Sequence, residues 1–560
     1  MKRSRNAVIG GGAVVLCVFA SAGQPVYTDV TGPSGTEDIS YGRGSAMYDL
    51  DQDGLLDIIT GNAAGPNKVF RQLPDHTFIV MNEPWGFGSH EDMTWGTIVS
   101  DFDNDGDPDV LFVNGSAGGF DQVDPCRLFR NDLKELGTFT EVGAKAGDLA
   151  VASENFGGTS FDFDNDGDLD IFLSSKYPEQ PSRLLRNEGG LQFSDVGLAA
   201  GIVHSSSFRH CSIGDIDGDG WLDIAVGALD GPNRLYRNKG DGTFVDIAPQ
   251  LGVDSPNQNF GLALEDFNND GHTDVYIPKW QQTPSGPSEL FLNMGDGTLQ
   301  DVSVASGMTG QTDMGHNTVD INLDGYTDIF VGTGAPRFAD HDLLLLVTPD
   351  ENTGLRVTDY SGESGIHALG GSRCHGIVFG DYDRDGDLDI YLNNGGPGRY
   401  PATIENNHLL RNDGPPVPWT AITLEGTESN RDGIGAKCVA TTSDGREIHR
   451  MHRSGNGFCN TNPAEVWFGP GEENTITRID ITWPSGLRQS VADPVMGTIT
   501  RVVERSCDPD VNEDGKLTPA DFTAWINAYN TNDAKCDQNR DGVCSPTDFT
   551  AWVAKYNAGC

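Results

Sequence analysis

The chain is 560 residues long, more than one hydrophobic core usually organises, so several domains are expected. Its 83 Asp and Glu against 37 Lys and Arg give a formal net charge of −46, which repels phosphate and excludes nucleic acid as a partner. Seventy-two glycines and 29 prolines favour short strands and tight turns over long helices, while 21 % charged and 9 % aromatic residues exclude an acidic disordered chain.

At the N-terminus, Lys2, Arg3 and Arg5 precede an apolar run over 7–20 that ends in Ala20-Ser21-Ala22. Basic residues, a short apolar stretch and an A-x-A site predict a secretory signal peptide over 1–23. The run is too short to span a bilayer, and no other stretch is long and apolar enough, so no transmembrane segment is expected. Export implies an oxidising compartment. Cys507, Cys536, Cys544 and Cys560 fall together at the C-terminus, as disulfides of a very small domain would. Cys438 and Cys459 could pair within the domain before the tail, whereas Cys126, Cys211 and Cys374 form an odd set in which at least one is expected as a free buried thiol. No C-x-x-C occurs, so a zinc or redox site has no support.

One nine-residue pattern, Asp-x-Asp-x-Asp-Gly-x-x-Asp, recurs seven times at intervals of 51 to 61 residues. Positions 1, 3, 5 and 9 are Asp49, Asp51, Asp53 and Asp57 in the first copy, then Asp101, Asp103, Asp105 and Asp109. The third and fourth copies carry Asp162, Asp164, Asp166 and Asp170, then Asp215, Asp217, Asp219 and Asp223. The fifth and sixth have Asn at position 3: Asp266, Asn268, Asp270 and Asp274, then Asp320, Asn322, Asp324 and Asp328. The seventh returns to Asp381, Asp383, Asp385 and Asp389. Repetition at this period means a repeat architecture. Five residues before each first Asp stands a glycine, His210 in the fourth copy excepted; a strand-like run follows each last Asp. A third strand ends in Arg-Asn, as at Arg130-Asn131 and Arg186-Asn187, and a fourth reads like Phe193-Ser194-Asp195-Val196. Four short strands per repeat predict a mainly β fold, a seven-bladed β-propeller over 24–415. The last repeat lacks its fourth strand and the mature N-terminus offers an orphan, Tyr27-Thr28-Asp29-Val30, that would close the ring.

Oxygen ligands at positions 1, 3, 5 and 9, with glycine at the sharp turn, suit a hard cation, and calcium better than magnesium. Calcium is the expected cofactor, with the two Asn-containing loops weaker. The seven loops hold 29 of the 83 acids, which oppose folding until a divalent cation neutralises them. The repeats resemble the FG-GAP/VCBS repeats of the integrin-type propeller, which implies calcium between the first two strands of each blade. The resemblance also implies partner contact on the opposite rim, which here carries Arg43, His90, Glu154, Arg209, His210, His316, Arg373 and His375.

Residues 416–505 change character and read as a small β-sandwich. Gly433-Ile434-Gly435-Ala436, Ser454-Gly455-Asn456-Gly457-Phe458 and Trp483-Pro484-Ser485-Gly486 resemble the ASPIC/UnbV domain. In the tail, Asp510, Asn512, Asp514 and Asp521 occupy positions 1, 3, 5 and 12 of a twelve-residue loop, and Asp537, Asn539, Asp541 and Asp548 repeat it. Helical stripes follow, Phe522, Trp525, Ile526, Tyr529 and Phe549, Trp552, Val553, Tyr556. These paired EF-hand-like loop-helix units over 507–560 resemble a small α-helical type I dockerin, which implies two more calcium ions and a cohesin-like partner.

There is no Gly-x-Ser-x-Gly, His-Glu-x-x-His or phosphate loop. The expectation is therefore a secreted or cell-surface calcium-binding protein, not an enzyme, that meets an extracellular protein or polysaccharide and is tethered by its tail. The alternative is a lyase-like polysaccharide-degrading enzyme on a calcium-stabilised propeller, with Arg209 and His210 as its candidate groups.

Overall fold

The computed structural model describes residues 23–63, 65–116, 123–177, 180–203, 206–255, 259–280, 287–308, 313–334, 341–395, 405–455, 457, 460–471, 474–505, 511–512, 517–531, 534–536, 538 and 544–558. The expected signal peptide lies outside these, as do Cys459, Cys507 and Cys560.

Residues 27–412 form seven four-stranded antiparallel sheets. The first consists of Gly42–Tyr48, Asp57–Asn62, Lys68–Gln72 and Phe78–Val80 in chain order. Five more keep that order, beginning at Thr94–Ser100, Asn155–Phe161, Ser207–Gly214, Ala263–Glu265 and Asp313–Val319. The seventh takes three strands from Cys374–Gly380, Asp389–Asn394 and His408–Asn412. Its fourth is the N-terminal strand Tyr27–Asp29, with Tyr27 opposite Asn412 and Asp29 opposite Leu410. First strands of neighbouring sheets touch, and Cys374–Gly380 lies against Gly42–Tyr48, so the chain returns to where it began. Repeated four-stranded sheets in this order are the pattern of a β-propeller.

The glycine five residues before each Asp loop is explained by that close approach. A Cβ on Gly376 would stand 2.2 Å from the Arg43 carbonyl oxygen, and one on Gly315 2.4 Å from that of His375. The Asn of the Arg-Asn phrase serves a different purpose: it staples one sheet to the sheet before it. Asn131 Nδ2 donates to Leu50 O at 2.9 Å, Asn187 to Phe102 O at 2.9 Å, Asn238 to Phe163 O at 2.8 Å and Asn293 to Ile216 O at 2.8 Å. In the first sheet Gln72 takes this place and donates to Tyr382 O at 2.7 Å, joining the seventh sheet to the first.

Residues 420–503 build two further sheets. Thr420–Glu425 lies between Glu465–Phe468 and Ile499–Val503, and Lys437–Thr442 and Ile476–Thr482 are central to the other. Their facing side chains, among them Ile422, Ala440, Ile448, Phe468, Ile479 and Trp483, form one apolar core. Cys438 points into that core as a free thiol, pushed up to about 12 by burial. The expected Cys438–Cys459 pair is thus corrected: the first partner sits on a central strand among apolar side chains, where packing and not a crosslink uses it. Cys126 and Cys374 are likewise free and buried.

This unit docks on the end of the seven sheets that carries the Asp loops. Ser454, Gly457 and Asn460–Asn462 lie against the first strands of several sheets. Thr461 N donates to Ser45 O at 3.0 Å, Met47 N to Thr461 O at 3.0 Å and Ser454 Oγ to Ser160 O at 2.8 Å. Asn462 Oδ1 accepts from Asn317 Nδ2 at 3.0 Å and from Phe379 N at 3.1 Å. One segment therefore touches first strands of several sheets at once.

The tail is two helices, Pro519–Thr531 and Pro546–Ala558, with a disulfide between Cys536 and Cys544. Trp525 and Trp552 are buried, while Phe522, Ile526 and Phe549 of the same stripes stay more than a third exposed.

The staple should be measurable. Asn187 is 1 % exposed and its side chain makes three hydrogen bonds, to Phe102 O, Leu169 O and Gly189 N. Asn187→Ala is expected to cost about 2–3 kcal/mol in urea unfolding, because buried backbone groups lose partners; a change within error would remove the staple's role.

Candidate metal centres

Each Asp loop joins the first strand of a sheet to its second, and its shape follows from two left-handed positions. Position 4 (Gln52, Asn104, Asn165, Gly218, Asn269, Leu323 and Arg384) has φ from 54° to 74°, and the position-6 glycine has φ from 86° to 100°. Glycine meets the second requirement without strain.

The aspartates divide the backbone donors between them. At position 1, Asp49 accepts from Asp53 N at 3.0 Å and Gly54 N at 2.9 Å, and the other six copies repeat this pair. At position 5, Oδ1 accepts from the position-7 N–H, as in Asp53 from Leu55 at 3.0 Å. At position 9, fully buried Asp57 accepts from Leu50 N and from Gln72 N, so the loop is tied to the third strand of its own sheet. Position 3 is different. Oδ1 of Asp51, Asp103, Asp164 and Asp383 is buried with no hydrogen-bond partner.

Five groups of three acids bring ligand atoms within 4.8 Å of one another: Asp49, Asp51 and Asp53; Asp101, Asp103 and Asp109; Asp162, Asp164 and Asp170; Asp215, Asp217 and Asp223; Asp381, Asp383 and Asp385. A buried carboxylate oxygen without a donor, facing two further carboxylates, fits a hard cation; in the first group Arg71 also pairs with the other oxygen of Asp51 and with Asp53. The fifth and sixth loops do not form such a group among the described residues. There Asn268 and Asn322 turn their Nδ2 onto Asp270 and Asp324, at 2.9 and 3.1 Å.

The docked domain supplies cations to the same region. Arg450 reaches Asp320 at 2.9 Å, Lys437 pairs with Asp215, and Arg446 donates to Asp324 O at 2.8 Å. Adjacent loops are also linked: Gln52 Nε2 donates to Gly106 O at 2.6 Å, and Arg384 to Gly54 O at 2.7 Å. No signal in the loop motif announces these contacts.

Of the tail ligands, Asp510, Asp514, Asp537, Asn539 and Asp541 lie outside the described residues. Asp521 and Asp548 are buried and accept from Thr518 N and Ser545 N, both at 2.7 Å, at the starts of their helices; Asn512 N approaches Asp521 at 3.4 Å. The expected rim residues divide. Arg43, Arg209, His210, His316 and His375 are buried on first strands, whereas Arg373 pairs with Glu405 at 3.3 Å and Glu154 accepts from Ser116. His90 lies 6.5 Å from the Phe129 ring, away from that group.

With this geometry in hand, comparison with known proteins places the chain. It carries FG-GAP-like repeats, matched over residues 49–112, 162–226 and 215–277, followed by an ASPIC and UnbV domain matched over 426–508. It is homologous to cartilage acidic protein 1. The human protein is 27 % identical over 520 residues, 86 % of this chain and 75 % of that one. Mouse integrin alpha-7 is 26 % identical over 177 residues, 28 % of this chain and 15 % of its own. A solved structure of BBS1N in complex with ARL6DN covers 71 % of this chain and 98 % of that chain, with 10 % identity and a TM-score of 0.41, too loose a likeness to build on.

With no cation between them the loop carboxylates resist ionisation. Burial above all, with the neighbouring aspartates adding, raises Asp101, Asp162 and Asp381 to about 7 and Asp57 and Asp223 to about 8. A carboxyl raised in the folded state stabilises it at low pH and loses that contribution as pH rises from the ordinary 3.8 towards 8. Chelator-treated protein should therefore melt lower at pH 8 than at pH 5.5, and added divalent cation should reverse the difference. Calorimetry of both forms checks this; equal melting temperatures of the chelated form would contradict it.

Proposed function

We propose that the protein is a secreted, calcium-binding interaction protein whose seven sheets form a closed seven-bladed propeller, the recognition platform. The observation that carries this reading is the unpartnered, buried Oδ1 at position 3 of four loops, each beside two further aspartates. Calcium at these loops would neutralise carboxylates that otherwise oppose one another and would stiffen the turn between the first two strands of each blade. The kinship to cartilage acidic protein 1 and to integrin alpha-7 repeats supports an extracellular setting and an adhesive role towards a protein or polysaccharide. No described helix is long and apolar enough to cross a membrane. The tail, with its two aromatic helices, is assigned as a dockerin-like tether with calcium in its loops, and a cohesin-like surface protein as its partner.

Calcium counting tests the central part. The full chain should bind one calcium fewer on Asp103→Ala and on Asp164→Ala, whereas Asn322→Ala should leave the number bound at micromolar calcium unchanged. Titration calorimetry on the refolded, chelator-stripped protein reads this directly, and an unchanged count in the two Asp variants would overturn the assignment.

A further inference from the structure

Six residues before the first Asp of each loop, the seven repeats carry Arg43, Trp95, Phe156, Arg209, Phe260, Met314 and His375. They share one position relative to the Asp loops, six of them on first strands and Phe260 just before the strand Ala263–Glu265, at the end away from the loops, and each is at least 92 % buried. Trp95 stacks on Phe156 with centroids 4.2 Å apart. Arg43 lies over Trp95 at 4.8 Å, Lys176 over the same ring at 5.3 Å, and Arg209 over Phe156 at 4.4 Å. Phe260 meets partly buried Trp280 at 5.4 Å.

The charges here are exceptional for this chain. Five described Lys or Arg residues are buried as whole residues, Arg43, Arg183, Arg209, Lys279 and Arg373, and the Arg453 side chain, paired with Glu265, is buried as well. Arg183, Lys279 and Arg373 pair with Asp195, Glu289 and Glu405. Among the described residues, Arg43 and Arg209 pair with no carboxylate. Each donates through Nη1 alone, Arg43 to Gly42 O, Gly395 O and the His375 ring, Arg209 to Ser207 Oγ and Phe208 O. The Nε of both is buried with no partner. Trp95 Nε1 is in the same condition. Burial pushes Arg43 down to about 9, Arg209 to about 10 and Lys176 to about 8, against the smaller opposing pull of Glu405, Asp230 and Glu154 respectively. Of the nearby acids, Glu405 is held by Arg373, Glu154 by Ser116, and Asp230 accepts from Ser207 N at 2.6 Å; Asp313 faces His316 at 3.6 Å.

Guanidinium faces held by aromatic rings, with the Nε edges left undonated, make a fork for a planar oxyanion. Ser454, Gly457 and Thr461 lie against Ser160, His316 and Ser45 of the first strands, nearer the Asp loops, so the ligand is placed on the opposite, rim side. A site buried this deeply takes an end group, and the Phe260–Trp280 wall beside it suits an acid borne on a ring. We propose that this cluster binds the carboxylate of a terminal acidic sugar, entering from the rim opposite the Asp loops. The proposal rests on the interaction-protein reading above and supplies its ligand class.

The test is titration of the full, calcium-loaded protein with sodium glucuronate, followed by Trp fluorescence and by melting temperature, with glucose, sodium sulfate and N-acetylglutamate as parallel arms. Glucuronate is expected to saturate a single site and raise the melting temperature, with glucose inert. In Arg43→Gln/Arg209→Gln the affinity should fall about tenfold or more, as loss of charged hydrogen bonds predicts. Should that variant fold poorly, Arg209→Lys must show the same loss in the fluorescence titration. Absence of glucuronate binding, or affinity for it unaffected by the substitutions, overturns the proposal. Tighter binding of sulfate or of N-acetylglutamate overturns the sugar-acid assignment. Calcium binding is measured in the same samples, so failure here is distinguishable from failure of the calcium-dependent platform.

Discussion

Negative charge packed into tight turns is the constraint on which the seven-sheet body depends. In every Asp loop, one carboxylate is spent on the position-5 and position-6 amides and another on the amides that tie the loop to its own sheet. These bonds fix where the remaining oxygens point, and they point at one another. Coulomb repulsion between carboxylates a few ångströms apart in a partly desolvated turn is far too large for surface screening to remove. On the proposed reading, a cation in each of the first four loops and the seventh would turn that liability into a crosslink between the first and second strands. The loops are not independent, because Gln52, Asn104 and Arg384 each reach the next loop round the ring.

The docked ASPIC and UnbV domain belongs to the same electrostatic problem. It presents Lys437, Arg446 and Arg450 to the loops of the fourth and sixth repeats. In the sixth repeat, Asn stands at position 3 and a protein cation stands beside Asp320. Neutralisation there is shared between the loop's own amide and the neighbouring domain. The same domain sets Thr461 beside the first strand of the first sheet, where its backbone pairs with Ser45 and Met47 in strand fashion. Docking therefore both shields acids and ties the first strands together, which gives this unit a structural role beyond that of an appendage.

Much of this was legible in the sequence because it repeats. The Asp spacing, the four strands and the orphan Tyr27–Asp29 strand all follow from periodicity and turn chemistry, and the last pairs with His408–Asn412. What repeats in position but not in identity was harder to see. Arg43, Trp95, Phe156, Arg209, Phe260, Met314 and His375 share one register and no chemistry, so a rim assembled from charged residues included His90 and missed the aromatic partners. The Arg-Asn phrase was visible, but a hydrogen bond from Asn187 to Phe102 spans 85 residues and no local rule predicts it. Cys438 misled for a related reason: two cysteines at disulfide-like separation carry no information about which side of a strand each occupies.

Anomalous diffraction from crystals grown in calcium, recorded at long wavelength, addresses the central claim without any substitution. The account predicts peaks between the position-1, position-3 and position-5 or position-9 aspartates of the first four loops and the seventh, each beside the Oδ1 that lacks a donor. A map with no peak at Asp51, Asp103, Asp164 or Asp383, in crystals of the folded protein, would contradict it.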